Sequence, residues 1–188
     1  VRIIAGSARG RRLEAPAGDN TRPTHARVRE AVFSMLMPYL DDEGAVLDLF
    51  AGSGAMALEA CSRGMARAVL VDSSPLACAC IRKNIVRTGM AERCTLLQMD
   101  ARRALARLRG TRFSLIVLDP PYDTDLLQEA LAQIREGGLL APEGVALCEY
   151  RYTDGFAVPE GYCQKRAKKY GIAGVSLLGL AKEGGENA

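Results

Sequence analysis

The segment Asp119-Pro120-Pro121-Tyr122 combines residue types that suit one kind of substrate, an amino group on a flat ring. The Asp119 carboxylate and the Pro120 carbonyl are two acceptors for a single NH2. Restricted φ at Pro120 and Pro121 stiffens the turn and holds those acceptors in place. Tyr122 offers a flat face for stacking a base. An aromatic amine is a weak nucleophile because its lone pair is delocalised into the ring. Two acceptors on its hydrogens favour the geometry in which that pair points at an electrophile. Asp119, Pro120 and Tyr122 are therefore the candidate catalytic residues.

A second motif, Asp48-Leu49-Phe50-Ala51-Gly52-Ser53-Gly54, reads D-x-F-x-G-x-G. Its glycines let the backbone turn tightly and approach a ligand. The helix expected after it offers free N–H groups to a carboxylate or phosphate. With Ala57 in the third place the loop also satisfies G-x-G-x-x-A, so a dinucleotide site is a rival reading. Asp72, about twenty residues beyond the glycines, suits either ligand, because an acid there accepts from ribose hydroxyls. Asp119-Pro120-Pro121-Tyr122 has no role in dinucleotide binding, and the only histidine, His25, precedes the strands.

These residues need a scaffold that collects them. Residues 45–50, 68–71, 94–98, 113–118 and 145–149 read as strands. Helical segments follow the first four, to about residue 63 and over 75–87, 101–109 and 126–136. Strands alternating with helices give βαβ units and a parallel sheet covered on both faces. Residues 162–167 and 172–180 read as a closing hairpin that adds an antiparallel edge strand. The expectation is an α/β, Rossmann-like, mostly parallel sheet of seven strands. Asp48 to Gly54, Asp72, Asp100 and Asp119 to Tyr122 all follow strands, so one sheet edge would gather them, where such sheets bind ligands. Upstream, residues 2–22 are basic and glycine-punctuated, as in a hairpin or extended arm. A helix from a Thr24 cap to about Tyr39 follows them.

The 188 residues suit one domain. Within it, 1–40 form a basic N-terminal arm and helix, 41–182 the core, and 183–188 a flexible tail. Six scattered cysteines without a C-x-x-C pair read as small buried residues, and no metal site is expected. No apolar run approaches a membrane span and no signal-peptide core is evident, so the expected location is cytoplasmic. Net charge is +3, divided as +4 over 1–40, −3 over 41–150 and +2 over 151–188. Basic ends around a slightly acidic middle suit a catalytic core with polyanion-binding edges. Arg22, Arg27 and Arg29 near the first helix, and Lys168 and Lys169 near the last hairpin, are the candidate polyanion contacts.

The chain resembles the bacterial 16S ribosomal RNA guanine-N2 methyltransferases of the class I type. The resemblance rests on Arg2-Ile3-Ile4-Ala5-Gly6, Thr21-Arg22-Pro23-Thr24 with Arg27-Val28-Arg29-Glu30, Ser62-Arg63-Gly64 and the two motifs above. It implies S-adenosylmethionine as methyl donor, no metal, and a partly assembled 30S subunit as substrate; the expected state of the chain itself is a monomer. It also implies roles. The loop with Phe50, Gly52, Ser53 and Gly54 would hold the methionine part of the cofactor, with Asp48 near its ammonium. Asp72 would take the ribose, and Asp100 with the Ala101 N–H would take the adenine. Two rivals share the core: a DNA adenine-N6 methyltransferase, which normally carries an added target-recognition region, and a nonenzymatic RNA-binding protein on the same fold.

Overall fold

In the computed structural model, residues 1–16 and 23–182 are described. Arg22 and the expected tail over 183–188 lie outside them. Helix α1 spans Pro23–Leu36 and runs into a 3-10 turn over Met37–Tyr39. It begins at Pro23, whose fixed φ suits a first helical position, so Thr24 falls inside the first turn instead of capping it. The alternation then follows: β1 Ala45–Asp48, α2 Ala55–Ser62, β2 Arg67–Asp72, α3 Pro75–Thr88, β3 Cys94–Gln98, α4 Ala101–Arg107, β4 Phe113–Leu118 and α5 Leu126–Glu136. Strands β5 Leu140–Arg151, β6 Tyr162–Tyr170 and β7 Ala173–Leu180 close the chain.

The seven-stranded sheet has the order β3-β2-β1-β4-β5-β7-β6. The first five are parallel, and β7 is antiparallel to both β5 and β6. The closing hairpin therefore contributes an interior strand, β7, and an edge strand, β6, that runs parallel to β5. Strand β1 is buried along its whole length and β4 nearly so, as a sheet covered on both faces requires. One face carries α1, α2 and α3 through Phe33, Leu36, Leu58 and Ile81. The other carries α4 and α5 through Leu105, Leu131 and Ile134. Several strand ends differ from expectation, β1 and β5 with a visible cause. β1 stops at Asp48, because Leu49 and Ala51 turn to donate to Val117 O and Val71 O on its two neighbours. β5 starts at Leu140, with the pairing to β4 shifting register between Phe113 and Leu115.

The basic N-terminal segment is a docked hairpin. Arg2 bridges Arg12, and Ile3, Ala8 and Leu13 are buried. Its anchor is Glu59, a wholly buried acid on α2 that accepts from Ile4 N at 2.7 Å, Ala5 N at 3.0 Å and Arg63 Nε at 2.8 Å. Ser62 adds a bond from Ala8 N and one to Ala5 O. Gly6 is required here: its φ is +83°, and a Cβ on it would lie 1.7 Å from Ser62 O.

Candidate active site

Sheet order reverses between β1 and β4, and a crevice opens at the carboxyl ends of the strands there, as the fold dictates. The crevice encloses about 560 Å³, within the size range of small-molecule sites. Five strand ends build it. The loop after β1 supplies Leu49 and Phe50, and the end of β2 supplies Asp72 and Ser73. The end of β3 supplies Met99, Asp100 and Ala101, and the end of β4 supplies Asp119, Pro120, Pro121 and Tyr122. Glu149 of β5 and Leu126 of α5 complete the wall.

The glycine loop is held from below by carboxylates. Gly52 N donates to Asp72 Oδ2 at 2.8 Å, while Ser74 N donates to Asp72 Oδ1 at 2.8 Å. Asp72 thus ties the loop after β1 to its own turn and still faces the crevice. Gly54, at φ +76°, turns the chain into α2, where a Cβ would meet Leu70 Cδ2 at 2.9 Å. Asn84 of α3 donates to Ser53 O at 2.9 Å and to Glu14 O at 2.9 Å, linking loop, helix and N-terminal hairpin. Asp48 is 3% exposed and accepts from Ala57 N at 3.3 Å. Burial pushes its carboxyl up to about 7; the Ala57 N–H opposes the shift and the charge of Asp72 adds to it. At the end of β3, Asp100 caps α4, its Oδ1 accepting from Arg102 N at 2.9 Å.

Around the D-P-P-Y turn a polar cluster sets the position of Tyr122. Its hydroxyl donates to Glu149 Oε1 at 3.1 Å. Burial raises the tyrosine pKa, and the negative charges of Glu149 and Asp119 push the same way. The Arg151 guanidinium lies 5.4 Å from the Tyr122 ring centroid and grips Asp123 with both terminal nitrogens. Asp123 takes a left-handed φ of +65°, the only positive value outside glycine among the described residues.

Of the residues singled out in the sequence, Phe50, Asp72, Asp100, Ala101, Asp119, Pro120 and Tyr122 share the crevice wall. Asp48, Gly52, Ser53 and Gly54 shape it without lining it. Lys168 and Lys169 are exposed near the end of β6. Because β6 runs parallel to β5, that end lies at the same sheet edge as the crevice. Arg27 is exposed on α1. Arg29 corrects the expectation of a surface contact: it is 8% exposed and its guanidinium donates to Arg2 O at 2.5 Å, so it ties α1 to the hairpin. Sequence reasoning missed Glu149, Arg151 and Asp123. The signal was available, since β5 also ends in polar residues at the same edge.

Residues 1–179 match the family described as Conserved hypothetical protein 95. The chain belongs to this family. Among its relatives is ribosomal RNA small subunit methyltransferase D of Escherichia coli (strain K12), 34% identical over 189 residues, covering 100% of this chain and 94% of that protein. Bacillus subtilis YlbH is 37% identical over 182 residues, covering 94% and 97%. The solved structure of Escherichia coli yhhF superposes with a TM-score of 0.84 at 34% identity, covering 96% of this chain and 97% of that one. An RNA methyltransferase from Salinibacter ruber, solved with S-adenosyl-L-homocysteine, shares the fold at a TM-score of 0.63 and 20% identity. The Rossmann-like methyltransferase architecture and the family that the sequence motifs resemble are both borne out.

Proposed function

We propose that this chain is an S-adenosylmethionine-dependent RNA methyltransferase that modifies the exocyclic N2 amino group of a guanine in small-subunit (16S) ribosomal RNA. The observation that carries the reading is the single crevice in which Asp119 to Tyr122 face Asp72 and Asp100. Relatives named for small-subunit ribosomal RNA methylation, matched along nearly the whole chain, supply the substrate class.

The residues present fit the cofactor. Two carboxylates, Asp72 and Asp100, stand at adjacent strand ends, where they can accept from ribose hydroxyls and an adenine amino group. Phe50 and Met99 add apolar surface to the same crevice. The glycine loop leaves backbone room, and Asp48 beneath it supplies negative charge toward an ammonium. When bound, the cofactor supplies a methyl group on a positively charged sulfur. The chain's own residues do the rest. Asp119 and the Pro120 carbonyl accept the two hydrogens of the target amine and aim its lone pair. Tyr122, held by Glu149, flanks the base. The amine proton becomes acidic as the new bond forms and leaves to Asp119 or to solvent. Lys168, Lys169 and Arg27 take phosphates, positioning an RNA that sits in an assembling 30S subunit. The protein acts as a cytoplasmic monomer without a metal.

Methyl transfer from labelled S-adenosylmethionine to small subunits lacking the modification, followed by nucleoside analysis, tests this. Label in N2-methylguanosine is expected. Label in N6-methyladenosine, or none in RNA, would overturn it.

A further inference from the structure

D-P-P-Y explains how an amino group is held and is silent on which base carries it. Asp119 and the Pro120 carbonyl would serve the N6 amine of adenine as readily as the N2 amine of guanine. The two bases differ in the atom beside that amine. Guanine places a donor there, N1–H, whereas adenine places the bare acceptor N1.

The sheet register brings a second carboxylate to the same end of the sheet. Strands β4 and β5 pair Val117 with Leu147 and Leu118 with Cys148. Asp119 and Glu149 are each the next residue after the last of these pairs, so the two carboxylates stand at the same end of neighbouring strands. Both line the crevice, and so does Tyr122. The Tyr122 hydroxyl donates to Glu149 Oε1 at 3.1 Å, which orients the carboxylate. A carboxylate accepts at about four lone-pair sites, so this bond does not exhaust it.

We infer that Glu149 is the specificity-determining residue that accepts from N1–H of the target base and so selects guanine over adenine. The inference rests on the proposed N2 chemistry. With guanine in place, Asp119 serves N2–H and Glu149 serves N1–H, two parallel acceptors for two adjacent donors. With adenine in place, Glu149 faces the N1 lone pair, and both partners lose a hydrogen bond. Sites built to pair a polar group reject an analogue that cannot supply it more strongly than apolar pockets reject a shape.

The probe is 2-aminopurine, which keeps the amino group at C2 and has an acceptor at N1. Small-subunit RNA is prepared with guanine or 2-aminopurine at the position the wild-type chain methylates, and kcat/KM is compared for the two. The wild type should prefer guanine by about tenfold to a hundredfold, the range for one charge-assisted hydrogen bond. In Glu149→Gln, whose amide can donate to N1, the preference should shrink to within a few-fold. In Glu149→Ala both rates should fall and the preference should vanish. Tyr122→Phe removes only the hydroxyl and should keep most of the preference. An unchanged preference in Glu149→Gln overturns the assignment, as does an equal loss in Tyr122→Phe, which would make Glu149 only a support for the tyrosine. Calorimetric titration of each variant with S-adenosylmethionine establishes that it is folded. A wild type that methylates adenine sinks the N2 reading itself. N2-methylguanosine from the wild type with an unaltered ratio in the variants sinks the Glu149 role alone.

Discussion

Arg151 holds Asp123 by two parallel bonds, at 2.6 Å from Nη1 to Oδ1 and 2.7 Å from Nη2 to Oδ2. The pair joins the end of β5 to the residue after D-P-P-Y, and it places the guanidinium against the Tyr122 ring. A planar fork suits both tasks, because it binds a carboxylate in two places and stacks on an aromatic face. The pair therefore positions Tyr122 from outside the crevice.

Asp123 variants separate the backbone part of this device from the charge. Asp123→Asn keeps a residue tolerant of positive φ and loses the ion pair. Asp123→Ala loses both, and the left-handed backbone alone costs about 1–2 kcal/mol for a residue without that tolerance. Single-turnover methylation should fall in the order wild type, Asn, Ala, while cofactor affinity stays near normal. Thermal melting should show a clear drop only for Ala. Equal rates in all three would mean that the turn holds its shape without the pair.

Asp119 acts on the substrate side of the crevice, and its variants should show that. Asp119→Ala should collapse the single-turnover rate with cofactor affinity almost intact. Asp119→Asn should keep part of the rate, since the amide oxygen still accepts one hydrogen bond. Tyr122→Ala should cost less than Asp119→Ala, about 1–3 kcal/mol for lost base stacking. An Asp119→Ala enzyme with a near-normal rate at saturating cofactor would move the chemistry away from D-P-P-Y.

The crevice was legible because most of its wall is written as short strands followed at once by an acid or a glycine turn. That is how Asp48 to Gly54, Asp72, Asp100 and Asp119 stood out. Glu149 and Arg151 escaped for a physical reason. The chain after β5 enters an antiparallel hairpin, so the alternation that flagged the earlier strand ends stops there. Arg29 was misread because a cluster of arginines looks alike in sequence. Whether one is buried depends on where a distant hairpin docks. Glu59 gave the same difficulty: its partners Ile4 and Ala5 are 55 and 54 residues away, and nothing local marks it as their anchor.

The two classes of arginine and lysine should part experimentally. Lys168→Ala with Lys169→Ala should lower RNA affinity and reduce the slope of log affinity against log salt. Removing one lysine–phosphate pairing should take about 0.7–0.9 from that slope. Lys169 also lies 4.4 Å from the Tyr152 ring centroid, and Tyr152 is itself exposed beside the crevice edge. Tyr152→Ala should therefore weaken RNA binding with little change of slope, as lost stacking does. Arg29→Ala should do the opposite of the lysine pair. It leaves Arg2 O without its donor and should cost about 1–3 kcal/mol in stability, at an unchanged salt slope. A flattened slope in Arg29→Ala would return that residue to the RNA surface.

The last prediction concerns proton linkage at the cofactor site. Asp48 is an acid whose folded-state pKa is raised, from an ordinary value near 3.8 to about 7, chiefly by burial. Between those values the folded chain holds a proton that the unfolded chain has released. Stability from this group is therefore present at low pH and is lost as pH rises through about 4 to 7. Asp48→Asn removes the titration, so its melting temperature should gain on the wild type across that window. Cofactor binding should run the other way. An ammonium near Asp48 favours the carboxylate over the acid, so binding expels the proton. S-adenosylmethionine affinity should rise with pH up to about 7, by no more than tenfold per unit for one proton, and level off above it. Calorimetry in buffers of different ionisation heat reads the released proton directly. If the wild type and Asp48→Asn show the same pH profile between about 5.5 and 7.5, a window spanning the raised pKa, Asp48 serves only to hold the Ala57 N–H, and the cofactor's ammonium is met by another group.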